Sequence, residues 1–68
     1  MNEEAFNLSL RKFLKSFGVN GQHEIEQAVE RARARGLVSG TETLPAKITL
    51  QIDGLNLKWE CSGEINLG

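Results

Sequence analysis

Apolar residues recur at helical spacing through the first quarter of the chain. Phe6, Leu10, Phe13 and Phe17 lie within an arc of about 60° when each residue turns by about 100°, and Leu14 lies at the edge of that arc. All three phenylalanines of the protein are on this one face. The pattern predicts an amphipathic helix whose apolar face belongs to the core.

The predicted first helix has suitable residues at both ends. Asn2 can cap its N-terminus, and Glu3 and Glu4 fall in the first turn, where the helix dipole favours acids. Gly18 can adopt the left-handed conformation that ends a helix.

A second helical pattern follows, starting at Asn20 or Gly21 and stopping at Gly36. Its apolar residues share one narrow face: Ile25, Ala28, Val29 and Ala32. The sequence therefore predicts two helices separated by a short turn at Gly18–Gly21.

The segment from Lys47 to Glu60 alternates apolar and polar residues around Asp53-Gly54, a dipeptide typical of a two-residue type I′ hairpin turn. Pairing outward from that turn predicts Ile52 opposite Leu55, Leu50 opposite Leu57 and Ile48 opposite Trp59 on an apolar face. It predicts Gln51 opposite Asn56, Thr49 opposite Lys58 and Lys47 opposite Glu60 on a polar face.

The alternation continues to Leu67, so we expect the second strand to outrun the first, which Pro45 limits. A short third strand at Leu37-Val38 is expected beside the C-terminal end. The predicted fold is α+β: two N-terminal helices packed on one face of a small antiparallel sheet, in the order α-α-β-β, within a single domain spanning residues 1–68.

Composition narrows the functional classes. The net charge of −1 argues against a dedicated nucleic-acid binder, and no apolar run exceeds two residues, which argues against a membrane span. Cys61 is the only cysteine, so no intrachain disulfide can form and a cytoplasmic location is expected.

Catalytic and metal-binding patterns are weak. The stretch His23-Glu-Ile-Glu-Gln27 begins like the zinc-binding H-E-x-x-H motif, but Gln27 stands where the second histidine is needed. His23 is interpreted as an exposed residue of a first helical turn. Cys61 falls on the apolar face of a strand, where we expect it to be buried and inert. We therefore expect no enzyme activity, no cofactor and no metal.

Two features favour nucleic acid as an alternative partner. Gly18-Val-Asn-Gly21 resembles the G-x-x-G loop of KH domains, although neither middle residue is basic. Arg31 and Arg35 share one side of the predicted second helix, whereas Arg33 projects to another. The simpler interpretation is a helix C-terminus with solvated charges, so a weak helix-turn-helix or KH-like contact through Gly18, Gly21, Arg31 and Arg35 is the alternative hypothesis.

A protein interface is the leading hypothesis. Leu8 projects away from the Phe6 face, with Met1 close to it in angle, so the two are candidate interface residues. The outer strand edge is another surface at which a second chain can pair. The sequence thus favours a non-enzymatic interaction module, either an adaptor or a homodimer.

Three stretches carry a family resemblance: MNEEAFNLSLRKFLKSFGV, ETLPAKITLQIDGL and GEINLG. Together they resemble a family of small bacterial proteins known only as a domain of unknown function, over nearly the whole chain. The resemblance implies a bacterial cytoplasmic protein made of this one domain. It implies no activity, ligand or residue role.

Overall fold

A computed structural model describes all residues, Met1–Gly68, as two compact units, Met1–Leu37 and Val38–Gly68. The elements in chain order are a helix α1 (Glu3–Ala34), a strand β1 (Thr43–Ile52), a 3₁₀ turn (Asp53–Leu55) and a strand β2 (Leu57–Asn66). The predicted α+β class is confirmed, but the predicted number of helices and strands is not.

The prediction of two helices is wrong, because α1 is continuous for 32 residues. Gly18 and Gly21 lie inside it, and neither has the positive φ that ends a helix. Each glycine weakens a helix by about 1 kcal/mol relative to alanine, which is too little to break one. The side-chain amide of Asn20 donates to Ser16 Oγ at 3.1 Å, four residues back, instead of capping a new helix.

Both outer ends of α1 follow the sequence prediction. Asn2 Oδ1 accepts a hydrogen bond from the Ala5 amide at 3.1 Å, which confirms the N-cap. Gly36, at φ 71°, ends the helix in a Schellman motif: its amide donates to the Arg33 carbonyl at 3.0 Å and the Leu37 amide donates to the Ala32 carbonyl at 2.9 Å.

The hairpin is antiparallel as predicted, but its register is shifted by two residues. Ile52 pairs with Leu57, Leu50 with Trp59 and Ile48 with Cys61. The Asp53-Gly54 type I′ turn does not form, since neither of its residues has a positive φ. The four residues between the paired positions form the 3₁₀ turn and then Asn56, which takes the left-handed conformation at φ 51°.

A shift of two residues preserves the two faces, because side chains alternate with a period of two. The apolar face of the hairpin comprises Leu44, Ala46, Ile48, Leu50, Ile52, Leu57, Trp59, Cys61, Gly63 and Ile65. Lys47 now lies diagonal to Glu60 instead of opposite it, and their charged groups still form an ion pair at 3.9 Å.

The predicted third strand at Leu37-Val38 is absent, and the sheet has two strands. The Leu37 amide is already used in the helix C-cap, which removes it from strand pairing. Pro45 does not limit β1: the strand starts at Thr43, and pairing continues one step further where the Leu67 amide donates to the Glu42 carbonyl at 2.8 Å.

No residue of the chain is buried. The phenylalanines expected in the core remain about half exposed, with Phe6 at 49%, Phe13 at 57% and Phe17 at 47% of their full accessibility. Within the helical unit this face belongs to a single helix, so no other element of that unit covers it. Each unit thus has an apolar face that its own elements do not cover.

Glycine is favourable at the left-handed C-cap position and unfavourable in the helix interior. Two matched glycine-to-alanine substitutions should therefore shift stability in opposite directions. Gly36→Ala should lower the thermal midpoint, since an L side chain in the left-handed region costs roughly 1–2 kcal/mol. Gly18→Ala should raise it by the equivalent of about 1 kcal/mol, since nothing lies within 4 Å of the added methyl group. Circular dichroism at the helix band measures both, and a Gly36→Ala protein as stable as the wild type would contradict the C-cap assignment.

Candidate interaction surface

One face of α1 carries apolar residues along its whole length, whereas Leu8, Val19 and Val29 project to other sides. At about 100° per residue, nine residues of this face fall within an arc of about 120°. We call this set the apolar stripe: Phe6, Leu10, Phe13, Leu14, Phe17, Gly21, Ile25, Ala28 and Ala32. The two segments predicted as separate helices therefore share one face of a single helix.

An eleven-residue spacing keeps the stripe straight. Phe6, Phe17 and Ala28 are eleven residues apart, and so are Leu10, Gly21 and Ala32. Eleven residues in three turns give about 3.67 per turn, close to the 3.6 of an α-helix, so the stripe runs almost parallel to the helix axis. A straight stripe on a helix of about 48 Å suits contact with another long, straight element.

The stripe leaves a large apolar area accessible. Its large aliphatic members are also about half exposed: Leu10 at 41%, Leu14 at 50% and Ile25 at 46%. Because an aromatic side chain covers roughly 150–250 Å², the three half-exposed phenylalanines alone contribute about 300 Å². The largest apolar patch on a typical monomer is about 300–600 Å², and patches of that size often mark interfaces.

Residue size changes along the stripe. Its N-terminal half carries the phenylalanines and two leucines, whereas its C-terminal half carries Gly21, Ala28 and Ala32, with Ile25 as the one large side chain. The Phe17 ring lies next to Gly21: a Cβ added at Gly21 would lie 3.5 Å from that ring.

The hairpin, considered by itself, has a second exposed apolar face. Trp59 is 55% exposed there, and Ile48 and Ile52 are also exposed. Cys61 lies on this face as predicted but is exposed, so the expectation that it is buried is wrong. A two-stranded hairpin has no second layer of its own that could cover such a face.

The residues predicted for a protein interface lie elsewhere on the helical unit. Met1 precedes α1 and is 96% exposed, and Leu8 is 56% exposed. Leu8 projects about 160° away from the middle of the apolar stripe. It is a large apolar residue on the polar side of the helix, so its role as a contact stays a prediction.

The residues predicted for nucleic acid are not brought into a loop. Gly18 and Gly21 are in the helix interior, where backbone amides are used in helical hydrogen bonds, so the G-x-x-G loop does not form. Arg31 is in the last turn of α1, and Arg35 is its C-cap residue. Binding of nucleic acid by these arginines stays a prediction without the loop that first suggested it.

Glu42 is a local organising residue that the sequence analysis missed. Its carboxylate accepts hydrogen bonds from the amides of Ser39, Gly40 and Thr41 at 2.9–3.1 Å and from the Ser39 hydroxyl at 3.0 Å. These bonds, led by that from the Ser39 amide, lower the pKa of Glu42 from 4.5 to about 2. The signal was the S-x-x-E pattern of a capping box, which here closes a turn before a strand.

Other chemistry is sparse. His23 lies within α1, with its Nε2 3.0 Å from Gln27 Nε2, and is not at the start of a helix as predicted. No three His, Cys, Asp or Glu side chains are grouped closely enough to hold a metal ion. No helix combines the length and the apolar character that a membrane span requires.

The fold and its surfaces define a small α+β protein built from one long amphipathic helix and one β-hairpin, with exposed apolar faces. A family model covers residues 1–68, and the chain belongs to this family, described as a family of unknown function (DUF6494). The resemblance noted in the sequence is thereby confirmed. The chain matches no curated protein and no solved structure.

The Glu42 turn should be sensitive to acid at an unusually low pH. Because the pKa of this carboxyl is lower in the folded turn, its stabilising effect is fully present above pH 4.5 and is lost as the pH falls through about 2. In NMR titrations the amide shifts of Ser39, Gly40 and Thr41 should move with a midpoint near pH 2. A midpoint near 4.5, or an unchanged titration in Glu42→Gln, would show that the carboxylate does not hold these amides.

Proposed function

We propose that this protein is a non-enzymatic protein-interaction module that associates with itself through the apolar stripe of α1. The observation that carries the proposal is the combination of a continuous stripe on α1 and a helical unit that has no other element to bury it. Burial of apolar surface is the main favourable term in folding, and each unit by itself provides very little of it.

The two units, taken separately, have little stability to spare. A helix in water depends mainly on packing of its apolar face, and a two-stranded hairpin alone is marginal at best. Both elements are fully formed here with exposed apolar side chains. A further apolar surface would supply the missing burial, and self-association provides one without a second kind of protein.

The chemistry of the chain supports binding over catalysis. Its one carboxylate with a strongly lowered pKa, Glu42, is used in a local turn, and the thiol of Cys61 lies on an apolar strand face. Exposed apolar residues, by contrast, extend along the whole of α1 and are suited to contact with another chain. The second surface to test is that of Met1 and Leu8, through which the protein would bind a different protein as an adaptor.

Phe13 and Leu8 provide a matched pair for that test, since they are 57% and 56% exposed and lie on different faces of α1. Phe13→Asp should weaken self-association about 10- to 100-fold, because it removes the roughly 1.5–3 kcal/mol of a buried aromatic side chain. Leu8→Asp should change it less than about twofold. Sedimentation velocity across the micromolar range measures both.

The wild type should sediment as a species larger than 7.5 kDa, and its thermal midpoint should rise with protein concentration. A monomer at every concentration would contradict the proposal. If Leu8→Asp dissociates the assembly and Phe13→Asp does not, the interface belongs to the Leu8 side of the helix.

A further inference from the structure

We propose that the apolar stripe of α1 is covered by the same stripe of a second copy, running antiparallel about a two-fold axis level with Val19. This inference rests on the proposed self-association and adds the direction and register of the two helices. Four features of the stripe lead to it: its straightness, its size gradient, the order of its charges and the area it exposes.

The size gradient selects the direction. If two copies ran parallel and in register, each residue would face its own counterpart. Phe6, Phe13 and Phe17 would each face a second phenylalanine, whereas Ala28 and Ala32 would each face a second alanine and leave a gap. An antiparallel arrangement brings the large half of each stripe against the small half of the other. Close packing of large against small side chains is the condition for a well-filled interface.

The spacing of the residues selects the register. In the proposed register the residue numbers of two facing residues add up to 38. Every large residue in the N-terminal half of the stripe, except Leu14, then faces a smaller residue. The facing pairs are Phe6 and Ala32, Leu10 and Ala28, Phe13 and Ile25, and Phe17 and Gly21. Leu14 then faces Glu24, which lies toward one edge of the stripe, where a long charged side chain can extend its carboxylate to water.

The centre of this register coincides with the place where the helix was predicted to break. Gly21 carries no side chain, and the Phe17 ring of its own helix already lies over it. Around the two-fold axis the two Phe17 residues would be about 6 Å apart along the helix axis, with a glycine beside each. The absence of a side chain at Gly21 leaves room for both rings.

The charges agree with the same register. Glu3 and Arg35 both lie on the line of the stripe, and their numbers also add up to 38, so each end of the dimer would pair an acid with a base. Glu4 and Arg33 project to a common side of the helix. Their numbers add up to 37, so Glu4 of one copy would lie within one residue of the level of Arg33 of the other. A parallel pair would place Glu3 against Glu3 and Arg35 against Arg35.

The area is adequate for a small dimer. Six half-exposed large residues, with the flanking stems of the charged side chains, amount to roughly 500 Å² or more for each copy. A standard stable interface buries about 800 Å² on each partner. The stripe thus supplies the apolar centre of such an interface, and the polar flanks of α1 supply its rim.

Distances between spin labels test the direction and register. Ser9 and Glu30 lie away from the stripe, and their numbers add up to 39, so Ser9 of one copy would be nearly level with Glu30 of the other. Each is changed to cysteine in the Cys61→Ser protein and labelled. Pulsed electron paramagnetic resonance is then recorded on Ser9→Cys alone, on Glu30→Cys alone and on an equimolar mixture.

The antiparallel dimer predicts long distances within each single variant, since the two Ser9 positions are about 30 Å apart along the axis and the two Glu30 positions about 33 Å. The mixture should show an additional short distance of about 20 Å, set by the width of the helix pair. The short distance must be absent from both single variants, which serve as controls for each other.

A parallel dimer reverses this result, with short distances in each single variant and an additional one of about 32 Å in the mixture, and would overturn the inference. A dimer whose distances fit neither pattern would also overturn it, while the proposed self-association would stand. Labelled protein that sediments as a monomer at every concentration would contradict both proposals.

Discussion

The structure depends on one constraint: its apolar residues are arranged on two faces, one on each unit, and neither unit has a second layer of its own to cover its face. The helix is long enough to form, and its caps satisfy both ends, yet half of each large side chain on its stripe remains in contact with water. The hairpin meets the same limit, since two strands provide a face but no layer to cover it. Stability in water therefore depends on what covers these faces.

Local features of the sequence predicted much of the secondary structure. Asn2 and Gly36 mark the ends of α1 because each acts through hydrogen bonds to its near neighbours, which sequence spacing determines. The two faces of the hairpin were also predictable, because they depend only on alternation. The register was not, because Asp53-Gly54 was weighed as a two-residue turn, whereas Asn56 takes the left-handed position and lengthens the loop to four residues.

Other features were not local, and there the prediction failed. Periodicity shows which face of a helix is apolar but not what covers it, so the Phe6 face was assigned to a core that the helical unit by itself does not contain. Gly18 and Gly21 favour a break by their own propensity, but the eleven-residue spacing carries the same face across them. Glu42 was missed because its pattern is associated with helices, and here it organises a turn.

The order of charges along α1 has two physical explanations, and the size gradient separates them. Acids at the N-terminus and arginines at the C-terminus stabilise the dipole of any isolated helix. The dipole, however, makes no demand on the size of apolar residues, and it does not explain why phenylalanines fill one half of the stripe and small residues the other. The proposed antiparallel pair uses both gradients about the same centre, so a single two-fold axis near Val19 would account for two patterns that are otherwise unrelated.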